Sequence, residues 1–253
     1  MSDFDREELI SLANVSHNLG LHEDSINYWK QVIKMSTPLN YDERGSVYSN
    51  YMCIRKNLYK CPDSLKCMSV ENHLRLEIKH KLKSKYDKIC DECIELFESY
   101  WIKRDENSEA VVDYQNYKAS SYLSKTFFAS IVDYEGEEED GDESYDEEEE
   151  EEEGEDVDDV DNNVKIAKEL FEEAFELAKE NLSPAHASLL SVASNLSELH
   201  CYMDSPDDLS IAKEAYENGI SHLHELDGKL KSDSEIQLEN LKNQIERFST
   251  EEN

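Results

Sequence analysis

Seven glycines and four prolines in 253 residues are too few to punctuate a β-rich chain. Three of the glycines (Gly136, Gly141, Gly154) fall in one acidic run, so Gly20, Gly45, Gly219, Gly228 and the prolines must break up everything else. No Asn-Gly or Asp-Gly pair lies between alternating apolar and polar runs, which leaves β-hairpins without their usual turn signal. An all-α chain is the reading that remains. No apolar run approaches the ~18 residues that cross a bilayer, and the first residues, MSDFDREEL, are acidic where a secretory leader would be basic and then apolar. A protein without membrane contact is expected, cytoplasmic or also nuclear.

Catalytic signals are equally scarce. There is no Gly-rich phosphate loop, no nucleophile motif and no acid–base pair that stands out from the many surface carboxylates, so the chain reads as a non-enzyme without a cofactor. Cys90-Asp-Glu-Cys93 has CxxC spacing, but it lies inside a continuous helical pattern with no second CxxC or paired histidines. His222 and His224 are too close to share one helical face, and no metal is expected. The six cysteines (Cys53, Cys61, Cys67, Cys90, Cys93, Cys201) form no regular framework and are read as free thiols of a reducing compartment.

Basic residues are outnumbered throughout. The formal net charge is −34, and the stretch from Asp133 to Asp161 holds 21 acids and no Lys or Arg. Of 60 acids, 39 remain elsewhere against 26 bases, a body of charge −13. Such a surface repels phosphate backbones, which excludes nucleic acid as a partner. The run cannot bury enough apolar area to offset its ordering entropy, so disorder is expected from Tyr134 to Asp161. Three readings stay open for it: a solubilising insert, an autoinhibitory segment whose span of roughly 30 Å reaches a nearby cationic groove, or a binder of basic clients.

What is present in quantity is helical periodicity. Nine helices are predicted, at 4–19, 22–35, 40–60, 70–102, 109–132, 162–181, 185–204, 206–224 and 232–249. Apolar stripes such as Leu189, Leu190, Val192, Ala193, Leu196, Leu199 and Met203 recur at three- to four-residue spacing, as do Ile166, Leu170, Ala174, Leu177 and Leu238, Leu241, Ile245, Phe248. Short links favour antiparallel neighbours. Stacked helix pairs of the TPR type would give the same count, but no 34-residue period carries the TPR positions.

The segment LSPAHASLLSVASNLSELHCYMDSPDDLSIAKEAYENGISHLHELD (Leu182 to Asp227) resembles the 14-3-3 proteins: a Pro-x-His turn, a long helix with Asn195 near its middle, a Ser-Pro-Asp turn, then AKEAYENGISHLHELD. ICDECIELFESYWI and EEAFELAKENLSPAH look like the ends of that family's fourth and sixth helices. The resemblance spans almost the whole chain. It implies an all-α, nine-helix antiparallel 14-3-3-like (TPR-like) bundle with a concave groove, its N-terminal helices in 1–132, the acidic insertion at 133–161 and the C-terminal helices in 162–253.

The resemblance also implies a function, a dimeric adaptor whose groove holds phosphoserine or phosphothreonine segments. Arg and Lys suit that ligand because a phosphate of charge near −2 needs charged, forked donors. Matched one at a time, with a helical turn missing in the third helix, the family Lys falls on Ser49 and its third-helix Arg on Lys56. An ungapped match puts Met52 and Tyr59 there instead. The fifth-helix Arg falls on Ser121, Tyr122 is kept, and Lys118 stands where the family has an Asp. Two missing cations at about 1.5–3 kcal/mol each predict a loss of about 10²- to 10⁴-fold in affinity.

Peptide contacts are implied for Asn195, Gln244 and Phe248, with Glu198 and Tyr202 among drifted wall positions. Val15, Leu19, Asp24 and Lys81 match dimer-interface positions, so a homodimer is expected, or a mixed dimer. Alternatives are a pseudo-14-3-3 scaffold that has lost phosphate binding, and an acidic chaperone-like protein that binds basic clients through the run. Ser144 and Ser249 are candidate phosphorylation sites.

Overall fold

The computed structural model describes residues 4–35, 37–59, 72–96, 98, 108–134, 155–203 and 209–251. Among them nine α-helices form and no strand. They are α1 (Arg6–Asn18), α2 (His22–Ile33), α3 (Tyr41–Tyr59), α4 (Asn72–Leu96), α5 (Ser108–Tyr134), α6 (Glu155–Asn181), α7 (Ala187–Tyr202), α8 (Ser210–His222) and α9 (Gly228–Glu251), with a 3₁₀ turn at Leu223–Glu225. The all-α expectation holds, helix by helix. At the edges of the acidic run the helices go further than predicted, because α5 continues to Tyr134 and α6 begins at Glu155. Ser144, Cys61 and Cys67 lie outside the described residues.

Two compact units divide the chain: Met1–Leu96 with Ser121–Lys165, and Phe97–Ser120 with Ile166–Asn253. In the first, α1 starts at a capping box: Asp5 Oδ1 accepts from Glu8 N at 2.9 Å and Glu8 Oε2 from Asp5 N at 2.9 Å. α2 buries Ser25, Ile26, Trp29, Val32 and Ile33, one face at helical spacing. Ser25 Oγ donates to the Ala13 carbonyl at 2.7 Å, which fastens α2 to α1. α2 packs in turn on α3, and α3 on α4.

The second unit is built on α7, whose Leu189, Leu190, Val192, Ala193, Leu196 and Leu199 are buried as predicted, while Met203 is exposed. Leu190 and Ala193 pack with Ala212 and Ala215 of α8 and Leu238 and Leu241 of α9. α8 comes so close that a Cβ on Gly219 would lie 2.8 Å from Leu238 Cδ2 and 3.0 Å from Leu190 Cδ2, so any larger residue there would make those leucine methyls shift. On α6 the fully buried stripe is Ala167, Phe171, Ala174 and Ala178, with the predicted Ile166, Leu170 and Leu177 only partly buried beside it. Alanines take the innermost line because they let helix backbones approach.

Candidate functional site

In the first unit the decisive side chain is Arg55 on α3, which is 2% exposed. Its Nη1 donates to Ser124 Oγ at 3.0 Å and Ser121 Oγ at 3.4 Å, both on α5, and its Nη2 lies 2.6 Å from Met52 Sδ. The guanidinium sits 5.6 Å from the Tyr48 ring centroid. Cys90 and Cys93 of α4 are buried nearby, and burial pushes their thiols up to about 11 and about 12, so both are neutral at physiological pH. The CxxC pair is thus part of the packing around a buried cation.

Ser121, where the resemblance places an arginine, is fully buried. A serine leaves room that an arginine would fill, and the guanidinium of Arg55 enters that room from α3. Lys56 and Ser49, one heptad apart, share the exposed face of α3, and Met52 is also 40% exposed. The structure therefore brings Arg55, and not Lys56, to Ser121. Sequence matching passed over Arg55 because it tracked register along α3, whereas the side chain that reaches α5 is chosen by which face of α3 is buried.

Tyr122 is half-buried on α5. Further along the same helix, Lys125 Nζ pairs with Asp91 Oδ1 at 2.5 Å. Lys118, in the second unit, pairs with Glu98 at 2.7 Å and keeps only 15% of its side chain exposed. It is a committed ion-pair partner rather than a solvated lysine.

In the second unit, α7 and α9 carry the five positions predicted for peptide contact. Asn195 Nδ2 donates to Asn116 Oδ1 at 2.8 Å and Ser120 Oγ at 3.4 Å, so α5 orients its amide. Gln244 is clamped twice to α7: its Oε1 accepts from Ser194 Oγ at 2.9 Å and its Nε2 donates to the Ser194 carbonyl at 3.0 Å. Arg247, which sequence matching did not single out, lies 3.9 Å from Glu198 and 4.3 Å from the Phe248 ring centroid. It joins two predicted positions and offsets the charge of Glu198. Tyr202 is 45% exposed and stands at the C-terminal end of α7.

Of the predicted interface residues, Val15 on α1 is 55% exposed and Leu19, just past the end of that helix, 69%; the neighbouring Leu21 is 50% exposed. Asp24 is exposed, Lys81 pairs with Glu77 on its own helix, and Lys85 pairs with Glu23 at 3.1 Å.

The comparisons with known proteins agree with this architecture. The 14-3-3 protein eta of Homo sapiens is 23% identical over 261 residues, covering 98% of this chain and 96% of that protein. The 14-3-3 protein beta/alpha-B of Xenopus laevis is 22% identical over 256 residues, 98% of this chain and 94% of that protein. The chain is a distant relative of the 14-3-3 proteins. No family model matches it. The likeness to the 14-3-3 proteins covers nearly the full length of both chains. Among the described residues no helix is long and apolar enough to cross a membrane.

Proposed function

We propose that this chain is a non-enzymatic, 14-3-3-like adaptor that binds phosphorylated protein segments weakly, with Arg55 as the principal phosphate cation. The observation that supports this reading is the guanidinium at Ser121, the position where the resemblance places a family arginine. Ser121 and Ser124 are neutral acceptors for it. A hydrogen bond to a neutral hydroxyl contributes about 0.5–1.5 kcal/mol and one to a charged phosphate about 1.5–3, so a phosphate gains by displacing them. The net gain is small, because Arg55 must leave a buried position, and affinity is correspondingly low. Tyr122 supplies a further donor. In the second unit, Asn195 and Gln244 are the candidates for contacts to the bound peptide's backbone.

A self-association surface at Val15, Leu19 and Leu21 completes the proposal, since two linked sites raise avidity by about 10²–10⁴ and offset a weak pocket. Leu19→Glu should shift the mass measured by light scattering from two chains to one. The alternative of a scaffold that no longer reads phosphate draws support from the commitment of Lys118 to Glu98 and of Lys125 to Asp91.

Anisotropy titrations with an Arg-x-x-phosphoserine-x-Pro peptide library and its unphosphorylated counterpart decide between them. Phosphate-dependent binding that falls about 10-fold or more in Arg55→Met, and less in Lys56→Glu, supports the adaptor. Equal binding of both libraries by the unaltered chain favours the scaffold.

A further inference from the structure

His17, near the C-terminal end of α1, His22, the first residue of α2, and Cys53 on α3 converge in the first unit. One ligand atom from each lies within 4.8 Å of the other two. The histidine rings meet edge to face, with centroids 5.1 Å apart. We propose that these three side chains form a zinc site. Two imidazoles and a thiolate are a donor set for Zn²⁺, a borderline-soft ion that favours N and S ligands in tetrahedral geometry. Bond lengths of about 2.0–2.1 Å to nitrogen and about 2.3 Å to sulfur place tetrahedral ligand atoms about 3.5 Å apart, so no pair of the three needs to close by more than about 1.3 Å on binding. Small side-chain rotations supply that.

The surroundings already orient the ligands. Asn50 is 1% exposed, and its Nδ2 donates to the Ser46 carbonyl of its own helix at 2.8 Å. That bond turns its Oδ1 towards His17 Nδ1, at 2.9 Å. Asn50 can only accept there, so His17 carries its proton on Nδ1 and directs the Nε2 lone pair away, the tautomer a metal needs. His22 Nδ1 is buried without a hydrogen-bond partner, a lone pair or proton left unused. Beside His22 opens a cavity of about 340 Å³ lined by Gly20, Leu21, Asn57 and Lys85, a route for the ion and for a water in the fourth position. Binding releases the Cys53 thiol proton to solvent as the thiolate joins Zn²⁺. No short motif announces the site, because its members come from three helices.

The full chain, stripped of metal by a chelator, is the material for the test, with Zn²⁺ in calorimetry and Co²⁺ in absorption as probes. One Zn²⁺ per chain is expected, with a raised Tm. The Co²⁺ form should show tetrahedral d–d bands and a thiolate charge-transfer band that Cys53→Ser abolishes and Cys201→Ser retains. His17→Ala and His22→Ala should each weaken Zn²⁺ at least 10-fold. Asn50→Ala, a positioning change, should weaken it about 10- to 100-fold while the thiolate band persists. Circular dichroism without metal identifies any variant that fails to fold, and the near-isosteric Cys53→Ser carries the test in that case. A thiolate band that survives Cys53→Ser, or no stoichiometric binding at 100-fold excess Zn²⁺, overturns the proposal.

Discussion

The two units solve the problem of a helical interior differently. The first encloses cations: Arg44, Arg55 and Lys79 are 3%, 2% and 5% exposed. The second closes its helices over Ala167, Ala174, Ala178, Ala193, Ala212 and Ala215, with Leu190, Leu199 and Leu241 filling the remaining space. A core of alanine and leucine is stabilised by area and fit, and any change of volume is felt directly. A core that holds guanidinium groups depends on the hydrogen bonds that offset their desolvation, as those from Arg55 to Ser121 and Ser124 do. Loss of volume should therefore be the severer change in the second unit, and loss of charge the more informative one in the first.

Truncation in the second unit should give the largest effect. Leu190→Ala removes a fully buried side chain at the point where α7, α8 and α9 meet, and a loss of about 2–5 kcal/mol is expected in denaturant unfolding. A cost under about 1 kcal/mol would mean that this core relaxes freely and would undo the contrast.

Arg55→Met is the matching change in the first unit, and it should alter stability by no more than about 1.5 kcal/mol. The replacement keeps most of the volume and removes a buried charge whose desolvation was costly. Its binding effect should exceed its stability effect, with phosphopeptide affinity reduced about 10-fold or more. If instead the variant unfolds, Arg55 is a keystone of the α3–α5 contact and not a latent ligand group.

The same contrast governs what could be read from the sequence. α7 was legible because Pro184 and Pro206 bracket a 3.6-residue stripe and the family-like order continues through α8. The nine helices followed from the scarcity of breakers. α3 was legible as a helix but not in its roles, since Arg55 and Lys56 are adjacent in sequence and point about 100° apart, and only packing decides which is enclosed. On α6, period alone selected Ile166, Leu170, Ala174 and Leu177; Ala174 is buried as expected, but the other three stand one position before the buried Ala167, Phe171 and Ala178, because period fixes the stripe only to within a residue. The His17, His22 and Cys53 cluster had no sequence signal, as its ligands come from three elements with no shared spacing.

A smaller effect comes from the entrance to the first unit. Asp5→Ala removes the side-chain acceptor of Glu8 N, leaving the bond from its own backbone N–H to Glu8 Oε2, and should cost about 0.5–2 kcal/mol by thermal or urea unfolding. Asp5→Asn should recover most of it, since an amide oxygen still accepts from Glu8 N. Failure of that rescue would trace the loss to charge at the helix terminus rather than to the cap.

The smallest stability effect is expected at Glu23 and Lys85, paired at 3.1 Å with both side chains more than half exposed. A double-mutant cycle through Glu23→Gln and Lys85→Met should give a coupling below about 1 kcal/mol, and salt should reduce it further, because water screens both charges. Lys85 stands one helical turn from Lys81, which the resemblance places at a dimer-interface position, so the cycle discriminates between partners as well. A pair made within one chain keeps the same coupling at every protein concentration. A coupling that grows with concentration would mean that Lys85 reaches an acid of a second copy, and the exposed Val15, Leu19 and Leu21 would then be the apolar part of that same contact.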